Sequence, residues 1–166
     1  FHVLLEALRL LGEKRQTNFK LILTNRYSQR SLKVVERLKI RYNLDIQVLG
    51  RIPYGELIGL HSQAWALLFP SLWEEPLPYA ILESMIMGTV PTSSRVGGLP
   101  EVLSNTPAEA FLFRPSCPSC LADKVMEVTS MDKKEIVFIG DKLRRMMTAK
   151  FDKDVIKKML VRVFEE

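Results

Sequence analysis

Apolar and polar positions along this chain alternate between two periods. Residues 3–11 carry Leu4, Leu8 and Leu11 on one helical face, and residues 19–24 form a short apolar run of the kind found in a buried strand. Leu32, Val35, Leu38 and Tyr42 mark a second helix, and 45–49 reads as a strand that ends at Gly50. The pattern then predicts a helix over 54–63 and a buried strand over 65–69, stopped by Pro70. A helix opens near Pro78, where a proline suits the first turn because the N–H it lacks would be unpaired there. That helix ends near Gly88. Residues 90–93 read as a strand, 97–103 as a short helix and 110–113 as a last strand. Helices over 119–129, 132–147 and 152–165 close the chain. Five strands separated by helices predict an α/β fold, a Rossmann-like parallel sheet with helices on both faces. The first strand of such a doubly wound sheet is usually central. This chain opens on a helix, so a strand upstream of Phe1 is expected.

A length of 166 residues fits one domain, which at this size buries about 70% of its unfolded surface. With 47% hydrophobic and 26% charged residues the composition is that of a globular protein, and the longest apolar run, 64–69, is far too short to span a bilayer. Lysine and arginine exceed aspartate and glutamate by 24 to 19, a net charge of +5. Basic residues recur over 26–41 and 142–158, but apolar residues at helical spacing interleave with both runs, which reads as solvated helix faces. No nucleic-acid recognition motif accompanies the charge, so no nucleic-acid partner is expected. The basic surface is compatible with peripheral membrane contact.

The chemistry concentrates in residues 70–102. Glu75 and Glu83 stand there with seven residues between them, the first on a proline-rich loop and the second on the helix that follows. The loop leaves the carboxyl end of a strand, where open parallel sheets bind ligands. The helix after it presents free N–H groups and a positive dipole end, a seat for phosphate. Pro78 has no N–H to give, so Tyr79 and Ala80 are the expected donors, with Leu77 adding another. A fully helical path would hold the two glutamates ~12 Å apart along the axis. Glu75 precedes Pro76, which disfavours helix at that position. Ionised carboxylates are acceptors only and suit the adjacent hydroxyls of a ribose or hexose.

With Pro70, Ser71, Glu75, Glu83, Met85, Gly88 and the run Gly97-Gly98-Leu99-Pro100-Glu101, residues 65–102 resemble the donor-binding segment of the retaining GT-B glycosyltransferases of family 4. The resemblance extends to the turn Leu49-Gly50-Arg51-Ile52-Pro53 and the closing helix, and so covers nearly the whole chain. It implies that Glu75 touches the donor sugar in the catalytic site and that Glu83 holds the ribose of the nucleotide. It places Leu77, Tyr79 and Ala80 on sugar hydroxyls and phosphate, Arg51 and Ile52 beside the base, and Gly97 near the donor. It implies a nucleotide-sugar as substrate, no metal or other cofactor, and transfer with retention to a glycan, a lipid-linked glycan or a small molecule. A cytoplasmic enzyme, peripheral to a membrane or free of it, is expected. Two departures stand out. The family's Gly-Phe-Gly after the first glutamate is Pro76-Leu77-Pro78 here, and the usual glycine-rich turn is Thr24-Asn25-Arg26. The family's first strand, glycine loop and diphosphate-neutralising Arg and Lys would precede Phe1. The acceptor half would precede it too, so the expectation is a donor-binding half, inactive alone.

Other readings compete. A nucleotide-sugar-binding module without activity would keep the same residues. Cys117 and Cys120 flank Pro118-Ser119 at a helix start, where a thiol pKa falls and a redox dithiol can work; the plainer reading is a helix-start loop that happens to hold two cysteines, with or without a local disulfide. Two cysteines are too few for a disulfide framework or a closed zinc site. His2 and His61 have no nucleophile or metal-ligand partner at useful spacing and read as ordinary surface or core residues. Trp65 is expected in the core, Trp73 in the loop, walling the site, and 85–87 as core helix.

Overall fold

The computed structural model describes residues 1–165. Helix α1 (His2–Glu13) precedes β1 (Lys20–Leu23), α2 (Gln29–Tyr42), β2 (Asp45–Val48), α3 (Tyr54–Gln63) and β3 (Ala66–Phe69). Next come α4 (Tyr79–Met87), β4 (Val90–Ser94), α5 (Leu99–Leu103), a 3₁₀ turn (Pro107–Phe111) and β5 (Leu112–Phe113). Helices α6 (Pro118–Ser130), α7 (Lys133–Lys150) and α8 (Lys153–Glu165) follow. All strand pairs are parallel, as expected. They form two ladders, β1 with β2 and the order β3-β4-β5, with no pairing between β1 and β3.

The two ladders share a core. One cluster joins Leu23 and Ile46 of the first ladder to Phe113 of the second, beneath α1 and α6, with Leu68 of β3 packed against it. The other gathers Ile81 and Met85 of α4, Val90, Leu112 and, from α7, Leu143 and Met147, with Leu67 against it. Neighbouring residues therefore serve opposite clusters, Leu67 against Leu68 and Leu112 against Phe113. That is the alternation of a strand covered by helices on both faces. Each large side chain buried this way stabilises the fold by about 2 kcal/mol. The apolar face of α1 (Val3, Leu4, Ala7, Leu8, Leu11) lies against α6 by way of Leu121, Ala122 and Val125.

The last strand is shorter than 110–113, and Pro91 explains why. Val90 N–H donates to Trp65 O at 3.1 Å on the β3 side, so by alternation Pro91 faces β5. Having no N–H, it cannot donate there. The ladder with β5 begins only at Ser93, paired with Leu112, while Ala110 and Phe111 close the 3₁₀ turn. Helix α4 also starts one residue later than expected: Pro78 is its N-cap, with φ −73° and ψ 111°.

The basic runs lie on solvated helices, as the pattern predicts. Val35 is the one fully buried residue of α2. Helix α8 carries Met159, Leu160 and Phe164 exposed. Among the described residues no helix is long and apolar enough to cross a membrane.

Candidate functional site

The parallel strands place their carboxyl ends on one edge, which carries the loops 49–53, 70–78 and 95–98. The 70–78 loop is tied down at both ends. Ser94 Oγ donates to Ser71 O, and Ser71 Oγ accepts Trp73 N–H at 3.2 Å. At the far end, Gly98 N–H donates to Glu75 O at 3.0 Å, and Gly97 N–H donates to the Glu74 carboxylate. The two glycines are required by this approach. A Cβ on Gly97 would lie 2.1 Å from Glu75 O, and one on Gly98 would lie 2.0 Å from Pro76 O. Gly97 also has φ +53°, a conformation other residues adopt at a cost. The Gly97-Gly98 pair thus acts as the seat on which the Glu75 backbone rests. Gly97's own N–H is engaged by Glu74 rather than free.

Glu75 lies outside any helix, as Pro76 predicts, and is half-buried; its carboxylate has no protein hydrogen-bond donor among the described residues. Helix α4 then starts without a side-chain cap. Ile81 N–H turns back to Pro78 O at 3.0 Å. The N–H groups of Leu77, Tyr79 and Ala80 meet no acceptor among the described residues. At the other end of α4 the carbonyls are satisfied: Arg144 donates from Nη2 to Met87 O at 2.8 Å and from Nε to Ile86 O at 3.0 Å. The helix is closed at its negative end and open at its positive one.

Glu83 stands in the second turn of α4, half-buried, and accepts the hydroxyl of Tyr54 at 2.8 Å. Tyr54 opens α3 directly after the 49–53 turn, so this bond brings Arg51 and Ile52 to the same edge as Glu83. The bond raises the Tyr54 hydroxyl pKa above its ordinary value of 10.0. The tyrosine therefore stays a donor at neutral pH, and the contact is lost only as the pH rises through that raised value. Buried His61, also on α3, is held below its ordinary value by burial, with the Glu83 charge opposing. It is neutral at pH 7. Ile52 is half-buried, and Arg51, Leu77 and Tyr79 are exposed. Gathered on this edge are therefore Glu75, Leu77, Tyr79, Ala80 and Glu83, with Arg51 and Ile52 tied in through Tyr54.

Sequence reasoning named Arg51 but missed Glu74, Tyr54 and the set of strand-end cations to which Arg51 belongs. An arginine follows four of the five strands within three residues: Arg26 after β1, Arg51 after β2, Arg95 after β4 and Arg114 after β5. All four are exposed, and none is in an ion pair among the described residues. Spacing from strand ends was the available signal for them. Tyr54 and Glu74 reach partners 29 and 23 residues away, which no local pattern encodes.

Other expectations are corrected. Trp65 is 40% exposed rather than core, because it precedes the first paired residue of β3 and only its carbonyl joins the ladder. Trp73 is 78% exposed at the loop tip, so it packs against little. His61 is a buried residue, as read, and feels the charge of Glu83. Cys117 and Cys120 are joined as a local disulfide with a Cα–Cα distance of 5.2 Å, and Cys117 is buried. Cys117 Sγ caps α6 by accepting Cys120 N–H at 3.2 Å. Among the described residues no group of three His, Cys, Asp or Glu side chains is placed to hold a metal ion. A shallow apolar groove along α8, lined by Ile156, Leu160, Val161 and Phe164, contains none of the site residues.

Parallel strands alternating with helices that cover both faces define a Rossmann-like α/β domain. The family model for glycosyl transferases group 1 matches residues 1–148, and the chain belongs to that family. No curated protein matches it by sequence. Among solved structures, it is similar to Anabaena Alr3699/HepE in complex with UDP-glucose, with a TM-score of 0.73 and 19% identity over 99% of this chain and 44% of that one. A glycosyltransferase from Rickettsia africae ESF-5 gives 0.75 and 19% over 99% and 43%. Sucrose-phosphate synthase (tll1590) from Thermosynechococcus elongatus gives 0.70 and 23% over 96% and 41%. At these identities the likeness establishes the fold, one Rossmann-like half of a GT-B architecture. The chain spans less than half the length of these three relatives.

Proposed function

We propose that this chain is the donor-binding half of a retaining glycosyltransferase of family 4. It holds a nucleotide-sugar while the sugar passes, with retention, to a glycan, lipid-linked or small-molecule acceptor bound by a separate N-terminal half. The observation that carries this reading is the uncapped start of α4, whose Tyr79 and Ala80 N–H groups meet no acceptor among the described residues and lie between Glu75 and Glu83 along the chain. Amide donors and a helix dipole suit a diphosphate, and carboxylates suit sugar hydroxyls. Glu75, with no protein donor of its own, faces the donor sugar, and Glu83 takes the ribose. Arg51 lies beside the base, and Arg95, exposed on the same edge and in no ion pair among the described residues, supplies charge toward the leaving diphosphate, a contribution that is usually large in such transfers.

The unpaired edges of β1 and β3 support the expectation about the sheet. In the order 3-2-1-4-5-6 the observed strands take every place but the central one. A strand from polypeptide outside residues 1–166 completes the sheet, and the isolated chain is inactive. A cytoplasmic location, peripheral to a membrane or free of it, belongs to the same proposal.

Ligand-observed NMR of the chain with UDP, GDP and ADP tests the reading. One nucleotide binds, and Glu83→Ala weakens it at least tenfold, the loss expected when a hydrogen-bonded charge is removed. Equal binding by the variant would remove the ribose role.

A further inference from the structure

Tyr54 donates its hydroxyl to Glu83 Oε1 at 2.8 Å, reaching from the turn after β2 to the second turn of α4. Tyr54 is 62% exposed, so burial does not explain why a tyrosine stands there. The bond fixes the carboxylate. An ionised carboxylate offers about four acceptor positions on two oxygens, and Tyr54 occupies one. Glu83 has no other protein donor among the described residues, which leaves Oε2 available. Glutamate is a flexible side chain, and immobilising it when a ligand arrives opposes binding. A carboxylate already held by the 51–54 turn avoids that loss. Neutral His61 adds no counter-charge that would compete for the carboxylate.

We propose that Tyr54 is a positioning residue of the donor site: its hydroxyl holds Glu83 so that the free carboxylate oxygen accepts the vicinal hydroxyls of a nucleoside diphosphate's ribose. The inference rests on the donor-site reading above, and it makes the turn after β2 a contributor to sugar recognition as well as a neighbour of the base.

The test is isothermal titration with the tightest-binding of UDP, ADP and GDP and with its 2′,3′-dideoxy counterpart. Tyr54→Phe, Glu83→Gln and the double variant are compared with the unsubstituted chain. Tyr54→Phe removes one exposed hydroxyl, and its melting temperature reports that the fold is kept. Tyr54→Phe is expected to weaken the ribonucleotide about fivefold, the scale of one net hydrogen bond. The dideoxynucleotide should bind both proteins equally, and the substitution should have no further effect on Glu83→Gln. Equal ribonucleotide affinity for Tyr54→Phe and the unsubstituted chain, with Glu83→Gln still weaker, would overturn the inference and leave the donor site standing. Equal loss for both nucleotides would assign Tyr54 a merely structural role and overturn it as well. No difference between Glu83→Gln and the unsubstituted chain would bring down the donor-site reading itself.

Discussion

The units β1–α2 and β3–α4 have the same topology, a parallel strand, a loop at its carboxyl end and a helix, yet their helix starts are built for different ends. Helix α2 is closed by its own sequence: Ser28 Oγ accepts Ser31 N–H at 3.1 Å, and the helix lies on the surface with a single fully buried residue, Val35. Helix α4 buries Ile81, Leu82, Ser84 and Met85 and has no side-chain cap at its start. Its loop is held instead by the backbone of another loop, through Gly98 N–H and the close approach of Gly97. Helix starts normally satisfy their amides locally. Helix α4 shares its uncapped start with α1, α3 and α5, and differs from α2 in being core-packed, with Arg144 closing its other end; the proposed donor site makes use of that open start.

The comparison can be broken hardest at the glycine seat. Gly97→Ala puts a Cβ against Glu75 O and holds a non-glycine residue at φ +53°. It is expected to lower the free energy of unfolding by about 3 kcal/mol, read by chemical denaturation, and to abolish nucleotide binding. Unchanged stability would mean that the two loops do not rest on one another. The losses expected from Glu83→Ala and Tyr54→Phe come next, and they fall on binding rather than stability. The smallest effect belongs to the other unit. Ser28→Ala removes the α2 cap, should cost about 1 kcal/mol of stability and should leave nucleotide affinity unchanged. A loss of affinity there would erase the distinction between the two helix starts.

Much of this was legible in the sequence because it is written locally. Strand and helix periods located the five strands and eight α-helices of the described residues but not the 3₁₀ turn at Pro107–Phe111, and Pro76 after Glu75 correctly placed that carboxylate off the helix. The motif context of Glu75 and Glu83 pointed to their edge of the sheet. What was not legible is held across distance. Tyr54 meets Glu83 and Glu74 meets Gly97 only once strands β2, β3 and β4 have aligned their carboxyl ends. Residues 110–111 look like strand, and only the pairing direction of Pro91 shows why they are not. The exposure of Trp65 follows from where the ladder starts, one residue later. Composition indicates how apolar a residue is, not whether its strand has begun.

The most direct measurement of the central claim is a ¹⁵N amide titration of the chain with UDP, ADP and GDP. The account predicts that one of them moves the Tyr79 and Ala80 resonances most, with Ser31 at the start of α2 unmoved. Perturbation centred on α2, or none at Tyr79 and Ala80 under any of the three, would contradict it.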